Sequence, residues 1–260
     1  MIRLRAVALA ALLATGAGLL AGQADAPGGH PVAPTAAPAV SPLAGRVVVL
    51  DAGHQLGNSN FPEEINTPVE AGGFEKYCNT TGTATNDGYP EASFNFDVTR
   101  RAAAGLRRLG ARVILTRSTD SAELWGPCVD ERGHAGNARG ADLKVSIHAD
   151  GSWDGRGFHV IAPTRLKGWT DDVYVESRAL AIDLRDALVA AGRPPATYTG
   201  ANGLDVRGDL ATLNLSDIPV AMVECGNMRD AREAAVMESA EGRQGYADAI
   251  VAGVAAFLRT

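Results

Sequence analysis

Three apolar runs in this 260-residue chain each stop abruptly at a residue with chemistry to offer. GRVVVLDAG, Gly45 to Gly53, leads into His54. DLKVSIHADG carries His148, and DIPVAMVECGN, Asp217 to Asn227, reaches Glu224 and Cys225. A continuous apolar run bounded by polar residues reads as a strand buried on both faces, the kind found in parallel sheets covered by helices. Amphipathic segments lie between the runs. In YPEASFNFDVTRRAAAGLRRLG, Pro90 suits a first helical turn, Glu91 complements the N-terminal dipole and Gly110 ends the helix. Phe94, Val98, Ala102, Leu106 and Leu109 share one face of it. VYVESRALAIDLRDALVAAG is a second such helix, closed by Gly192. The alternation predicts a single α/β domain with a mostly parallel, twisted central sheet of about six strands flanked by helices. Sites in such folds lie beyond the carboxyl ends of the strands, where His54, His148 and Glu224 all fall.

The N-terminal residues follow another pattern. MIRLRAVALAALLATGAGLLAGQADA combines Arg3 and Arg5, an apolar stretch and a small-residue ending, which predicts a secretory signal over residues 1–26. The apolar run is short for a membrane span of about 20 residues, so no span is expected after signal cleavage. Residues 27–44, rich in Pro and Ala, read as a linker, and residues 45–260 as the folded domain. The protein is therefore expected to be exported, to the periplasm or cell envelope or as a secreted protein. Cys78 and Cys128 lie in turn-rich loops, and an oxidising destination predicts their pairing as a disulfide, with Cys225 left over. A net charge of −6 without a basic stripe argues against nucleic acid as a partner. A monomer is expected.

His54 and His148, ending neighbouring strands, can share one metal ion, because neutral imidazole is the commonest protein metal ligand. Catalytic zinc keeps three protein ligands and an open fourth position. Glu91, where the long loop from Gln55 to Tyr89 returns, is the best third ligand. A plain helix-dipole carboxylate is the other reading of Glu91, and Glu63, Glu64, Glu70 and Glu75 in the loop compete with it. Loops this long are usually functional. Successive strand residues point to opposite faces, so Glu224 and Cys225 cannot both face one site. Asp51 is placed to orient His54. Arg132, Asn137 and Asp142 read as structural braces, His134 as surface or packing, and His159 as structural or as a neighbour of the site.

Taken in order, VVVLDAGH, PEASFNFDVTRRAAAGLRRLGARVILTRSTD, DERGHAGNARGADLKVSIHADG and PVAMVECGN resemble the zinc-dependent N-acetylmuramoyl-L-alanine amidases of the type 3 class. The resemblance covers nearly everything from Arg46 to Thr260. The loop with Cys78 and the Gly-Pro-Cys at Cys128 look like the small actinobacterial, mycobacterial-type members. It implies one Zn2+ per chain held by His54, Glu91 and His148, with Glu224 as the catalytic carboxylate. It also implies hydrolysis, by zinc-activated water, of the amide between N-acetylmuramic acid and the L-Ala of the stem peptide. The substrate would be peptidoglycan or muropeptides. Ala52 and Gln55 depart from the family's usual Pro and Gly around the first ligand, and Gly226-Asn227 stands where Gly-Phe is common. The short TRLKGWTDD predicts no built-in helix blocking the zinc. Arg207 reads as surface charge, or as a contact for a stem-peptide carboxylate. Competing readings are a zinc carboxypeptidase on wall peptides, a non-catalytic wall-binding or regulatory protein on the same scaffold, and a cysteine hydrolase using Cys225.

Overall fold

The computed structural model describes residues 41–259. The expected signal over 1–26 and the expected linker as far as Val40 lie outside the described residues. The first strand, β1 (Val47–Ala52), is followed by a 3-10 turn at Leu56–Asn60, α1 (Pro62–Ile65) and a hairpin of β2 (Pro68–Glu70) and β3 (Glu75–Tyr77). Then come α2 (Glu91–Arg108), β4 (Arg112–Leu115), α3 (Val129–His134), β5 (Leu143–Asp150) and β6 (His159–Pro163). The chain continues through α4 (Tyr174–Ala190), β7 (Leu204–Arg207), α5 (Ala211–Asn214), β8 (Val220–Asn227), α6 (Ala231–Glu238) and α7 (Ala240–Phe257). Six strands form one sheet in the order β4-β1-β5-β8-β6-β7. Pairing is parallel except at β6–β8, which is antiparallel.

Side-chain alternation divides the strands between two environments. Val48, Leu50, Val145, Ile147, Val223 and Cys225 point to one face and join a single apolar core with Phe94 of α2, Leu184 of α4 and Ile250 of α7. α2 and α4 pack on this face, and α7 packs against both helices. Burying a side chain the size of Phe94 contributes about 1.5–3 kcal/mol. The opposite face carries Asp51, Lys144, Ser146, His148 and Glu224, with small apolar clusters such as Ile161, Leu213, Val220 and Met222. Only short elements cover it, chiefly α3, α5 and the hairpin.

Three features depart from the sequence expectations. Leu43, assigned to the 27–44 linker, is buried in the main core and its N–H donates to Leu109 O at 2.8 Å, so packing begins inside that segment. One apolar residue in a Pro/Ala context has no periodicity to announce it. The edge strand β7 carried no strand signal, being short and half-buried. The Gln55–Tyr89 stretch, which lacked periodicity, holds the 3-10 turn, α1 and the hairpin.

Cys78 and Cys128 form a disulfide across 50 residues, tying the end of the hairpin to the start of α3. The Val129 N–H donates to Cys78 O at 2.7 Å beside it. Among the described residues, no helix is long and apolar enough to cross a membrane.

Candidate metal centre

Both histidines lie where the parallel strands end. His54 follows β1 in a left-handed backbone conformation, φ 57°, which is uncommon without glycine. Such local strain is characteristic of functional positions and persists only where surroundings impose it. Two arginines impose it here. Arg132 donates to Ala52 O at 2.6 Å, to His54 O at 2.8 Å and to Asp51 Oδ1 at 2.5 Å. Arg117 donates to Ala52 O at 3.1 Å, to Gly53 O at 3.3 Å and to Ala92 O at 2.6 Å, linking the β1 turn to the start of α2. Gly53 is required for a further reason. A Cβ there would lie 2.2 Å from the His148 ring.

Glu91, at the first position of α2, brings the two rings together. Its Oε1 lies 3.2 Å from His54 Nε2 and 3.0 Å from His148 Nδ1. Asn95 Nδ2 donates to the same oxygen at 3.1 Å, and the Thr83 N–H donates to Oε2 at 2.9 Å. The rings of His54 and His148 meet edge to face with centroids 4.9 Å apart. The other nitrogen of His54, Nδ1, lies 3.1 Å from the carbonyl oxygen of Thr80, which buried Asn58 also grips at 2.7 Å. That pairing orients the ring and directs Nε2 inward. One donor atom from each of His54, Glu91 and His148 lies within 4.8 Å of the others, a group able to hold a metal ion. Glu63, Glu64, Glu70 and Glu75 are not part of it. Glu70 instead accepts three backbone N–H groups of its own turn, from Ala71, Gly72 and Gly73.

Burial opposes charge on Glu91, but the two histidines outweigh it and hold the carboxyl well below the usual range. Burial pushes His148 down despite Glu91, whereas at His54 the carboxylate prevails over burial and raises the imidazole. Asp51 does not touch the His54 ring. It accepts from Thr116 Oγ1 and Ser146 Oγ, both at 2.6 Å, and pairs with Arg132. Burial works against its charge, yet Arg132 and the hydroxyls hold its carboxyl far below normal. Its influence on His54 therefore runs through the Arg132 clamp.

Glu224, the register partner of His148, lines the same cleft. Burial, then the nearby carboxylates of Glu91 and Asp150, push its carboxyl well above the usual range, and its Oε2 is buried without a hydrogen-bond partner. Two adjoining cavities, about 270 and 210 Å³, meet over His54, His148 and Glu224. Lys76, Tyr77, Leu210 and Met222 line the first, and Thr81, Thr83, Asp150 and Gly151 the second. Cys225 is 1% exposed in the opposite core, with its thiol raised far above normal by burial. That removes the cysteine-hydrolase reading. Arg207 is paired with Asp209 at 2.8 and 2.6 Å, and His134 is exposed. Asn137 and Asp142 brace backbone, Asn137 on Leu215 O and Asp142 on the Val47 N–H. Sequence reasoning passed over Arg117, Asn95 and Thr80. Of these only Arg117 had a signal, its position at the end of β4.

A profile of the Amidase_3 family, described as N-acetylmuramoyl-L-alanine amidase, matches residues 48–256. The chain belongs to this family. It is 43% identical to N-acetylmuramoyl-L-alanine amidase Rv3717 of Mycobacterium tuberculosis over 88% of this chain and 93% of that protein. The crystal structure of the amidase Ami1 from Mycobacterium smegmatis superposes with a TM-score of 0.78 at 46% identity, covering 84% of this chain and 98% of that one. The apo form of Ami1 from Mycobacterium abscessus gives 0.77 at 44% identity, with 83% and 99% covered. The single α/β domain with a six-stranded, mostly parallel sheet is thus the fold of these amidases.

Proposed function

We propose that this chain is an exported, zinc-dependent N-acetylmuramoyl-L-alanine amidase. It hydrolyses the amide between the lactyl group of N-acetylmuramic acid and the first L-Ala of the stem peptide, in peptidoglycan or soluble muropeptides. The observation that carries this reading is the convergence of His54, Glu91 and His148 on one point, with the unpartnered carboxyl oxygen of Glu224 at the same cleft. Two imidazoles and a carboxylate are a donor set that catalytic zinc takes, with one position left open. Family membership and the amidase names of its relatives supply the bond that is cut.

When bound, zinc supplies a Lewis acid for the carbonyl and lowers the pKa of water to about 7. The protein's own groups do the rest. Thr80 and the two arginines hold His54 in place, and Asn95 and Thr83 hold Glu91. Glu224 is the proton carrier. Its buried carboxyl, pressed by Glu91 and Asp150, binds a proton more readily than a free glutamate, so it can take one from water and return it to the leaving nitrogen. The apolar strand before Glu224 and the disulfide-tied hairpin wall the cleft. The disulfide and the signal pattern both suit an oxidising destination.

Purified protein should carry about one zinc per chain and release intact stem peptide from muropeptide. Release of a single terminal residue instead would support a carboxypeptidase. Binding to wall material with no product would support the non-catalytic reading.

A further inference from the structure

Glu224 stands between two histidines. Its register partner across β5–β8 is His148, and across the antiparallel β6–β8 pair it is His159. Directly opposed strand residues share a face, with Cβ atoms about 4.5–5.5 Å apart. His148 belongs to the metal cluster. His159 does not, and the proposed chemistry leaves it unused. It is nevertheless 3% exposed, and its Nδ1 is buried with no hydrogen-bond partner. Tyr198 closes over it edge to face, with ring centroids 6.0 Å apart. The Tyr198 hydroxyl is buried facing the Asp150 carboxylate, too far for a well-formed bond, and Glu224 Oε2 is buried without a partner.

Two unpartnered polar atoms, His159 Nδ1 and Glu224 Oε2, therefore belong to residues directly opposed across one strand pair, with the Tyr198 hydroxyl over them. A buried polar group without a partner is destabilising, so two of them on directly opposed residues call for a functional explanation. The environment suits hydrogen bonding to Glu224. Burial pushes the His159 imidazole down, keeping it neutral with one donor and one acceptor nitrogen. Burial, then the Asp150 carboxylate that the hydroxyl faces, and after it Glu224, raise the Tyr198 phenol, so it keeps its proton. Three polar groups are also the usual number around one buried water.

We propose that His159 is a positioning residue for Glu224: together with the Tyr198 hydroxyl, through a shared solvent molecule, it holds Glu224 Oε2 and leaves the other oxygen to serve the cleft. The catalytic consequence rests on the amidase reading, while the contact itself does not. His159 is thus the counterpart of Thr80, one fixing the proton carrier and the other a metal ligand.

The test uses the folded, disulfide-intact domain loaded with zinc. His159→Phe should keep metal content and thermal midpoint, leave KM unchanged and lower kcat on muropeptide about 10- to 100-fold, the loss usual for groups that orient an active-site residue. His159→Gln, which restores a donor, should recover most of that loss, and Tyr198→Phe should show a smaller loss of the same kind. In a Glu224→Gln background, His159→Phe should cost nothing further, because its effect runs through Glu224. Independently of hydrolysis, the ring ¹⁵N shifts of His159 should move on Glu224→Gln. A wild-type kcat in His159→Phe, no rescue by Gln, or additive losses in the double variant would overturn the proposal. Unmoved ¹⁵N shifts would do so whatever the activity. A wild-type protein without amidase activity whose His159 ¹⁵N shifts still move on Glu224→Gln would support the contact and count against the amidase reading alone.

Discussion

The two faces of the central sheet come from the same strands and obey different rules. One presents Val48, Leu50, Val145, Ile147 and Val223 to α2 and α4, and its core needs only the right volumes in the right places. The other presents Asp51, Lys144, Ser146, His148 and Glu224, and each polar group there needs a partner. Most have one. Asp51 has Arg132, Thr116 and Ser146, and Lys144 donates to the carbonyls of Arg132 and Gly133 at the end of α3. Two exceptions, Glu224 and His159, face each other beside the His54–Glu91–His148 cluster, a group able to hold a metal ion. The contrast separates the two jobs of the fold: the apolar face supplies stability, and the polar face spends part of it to hold reactive groups in place.

Substitutions on each face should therefore report on different quantities. The largest effect is expected from Glu224→Gln, which should lower turnover about 10²- to 10⁴-fold while metal content and melting stay unchanged. Full activity in that variant would remove Glu224 as the proton carrier. Arg132→Met should cost about 3–5 kcal/mol in denaturant titration, because it leaves the charge of Asp51 buried and unpaired. It should also change acid stability. The folded carboxyl of Asp51 lies below its unfolded value, so its stabilisation is present above pH about 4 and is lost as pH falls further. The variant should lose that acid limb.

Phe94→Ala, on the apolar side, should cost a similar 3–5 kcal/mol yet leave turnover per folded molecule intact. A parallel fall in kcat would show that the faces are not separable. Removing the disulfide by Cys78→Ser with Cys128→Ser should cost about 2–4 kcal/mol, seen as a lower melting temperature that reductant no longer changes. Cys225→Ala should be the mildest, about 1 kcal/mol without loss of turnover. A folded but inactive Cys225→Ala would reopen the thiol reading.

Periodicity made the long elements legible. β1, β5, β8, α2 and α4 each carry an apolar pattern strong enough to read alone, and each ends in a turn or capping signal. The same pattern exposed His54, His148 and Glu224, since a polar residue ending a buried strand is conspicuous. Short elements were not legible. β7 and the 56–77 segment are held by contacts with distant residues, such as Asn214 Nδ2 to Ala71 O at 2.8 Å and Lys76 Nζ to Asp209 O at 2.7 Å, and no local pattern encodes those.

By itself the sequence determined the strand and helix alternation, the opposed faces of Glu224 and Cys225, and three residues with metal-binding chemistry at strand and helix ends. Only the tertiary structure decided that Glu91 lies between two histidines 94 residues apart, that Asp51 reaches His54 through Arg132, and that Glu224 has a second histidine at its other side. The reason is physical. Periodicity follows from local backbone geometry, which neighbouring residues encode, whereas the partner of a buried polar group is set by which strands lie side by side, and strand order is a property of the whole sheet.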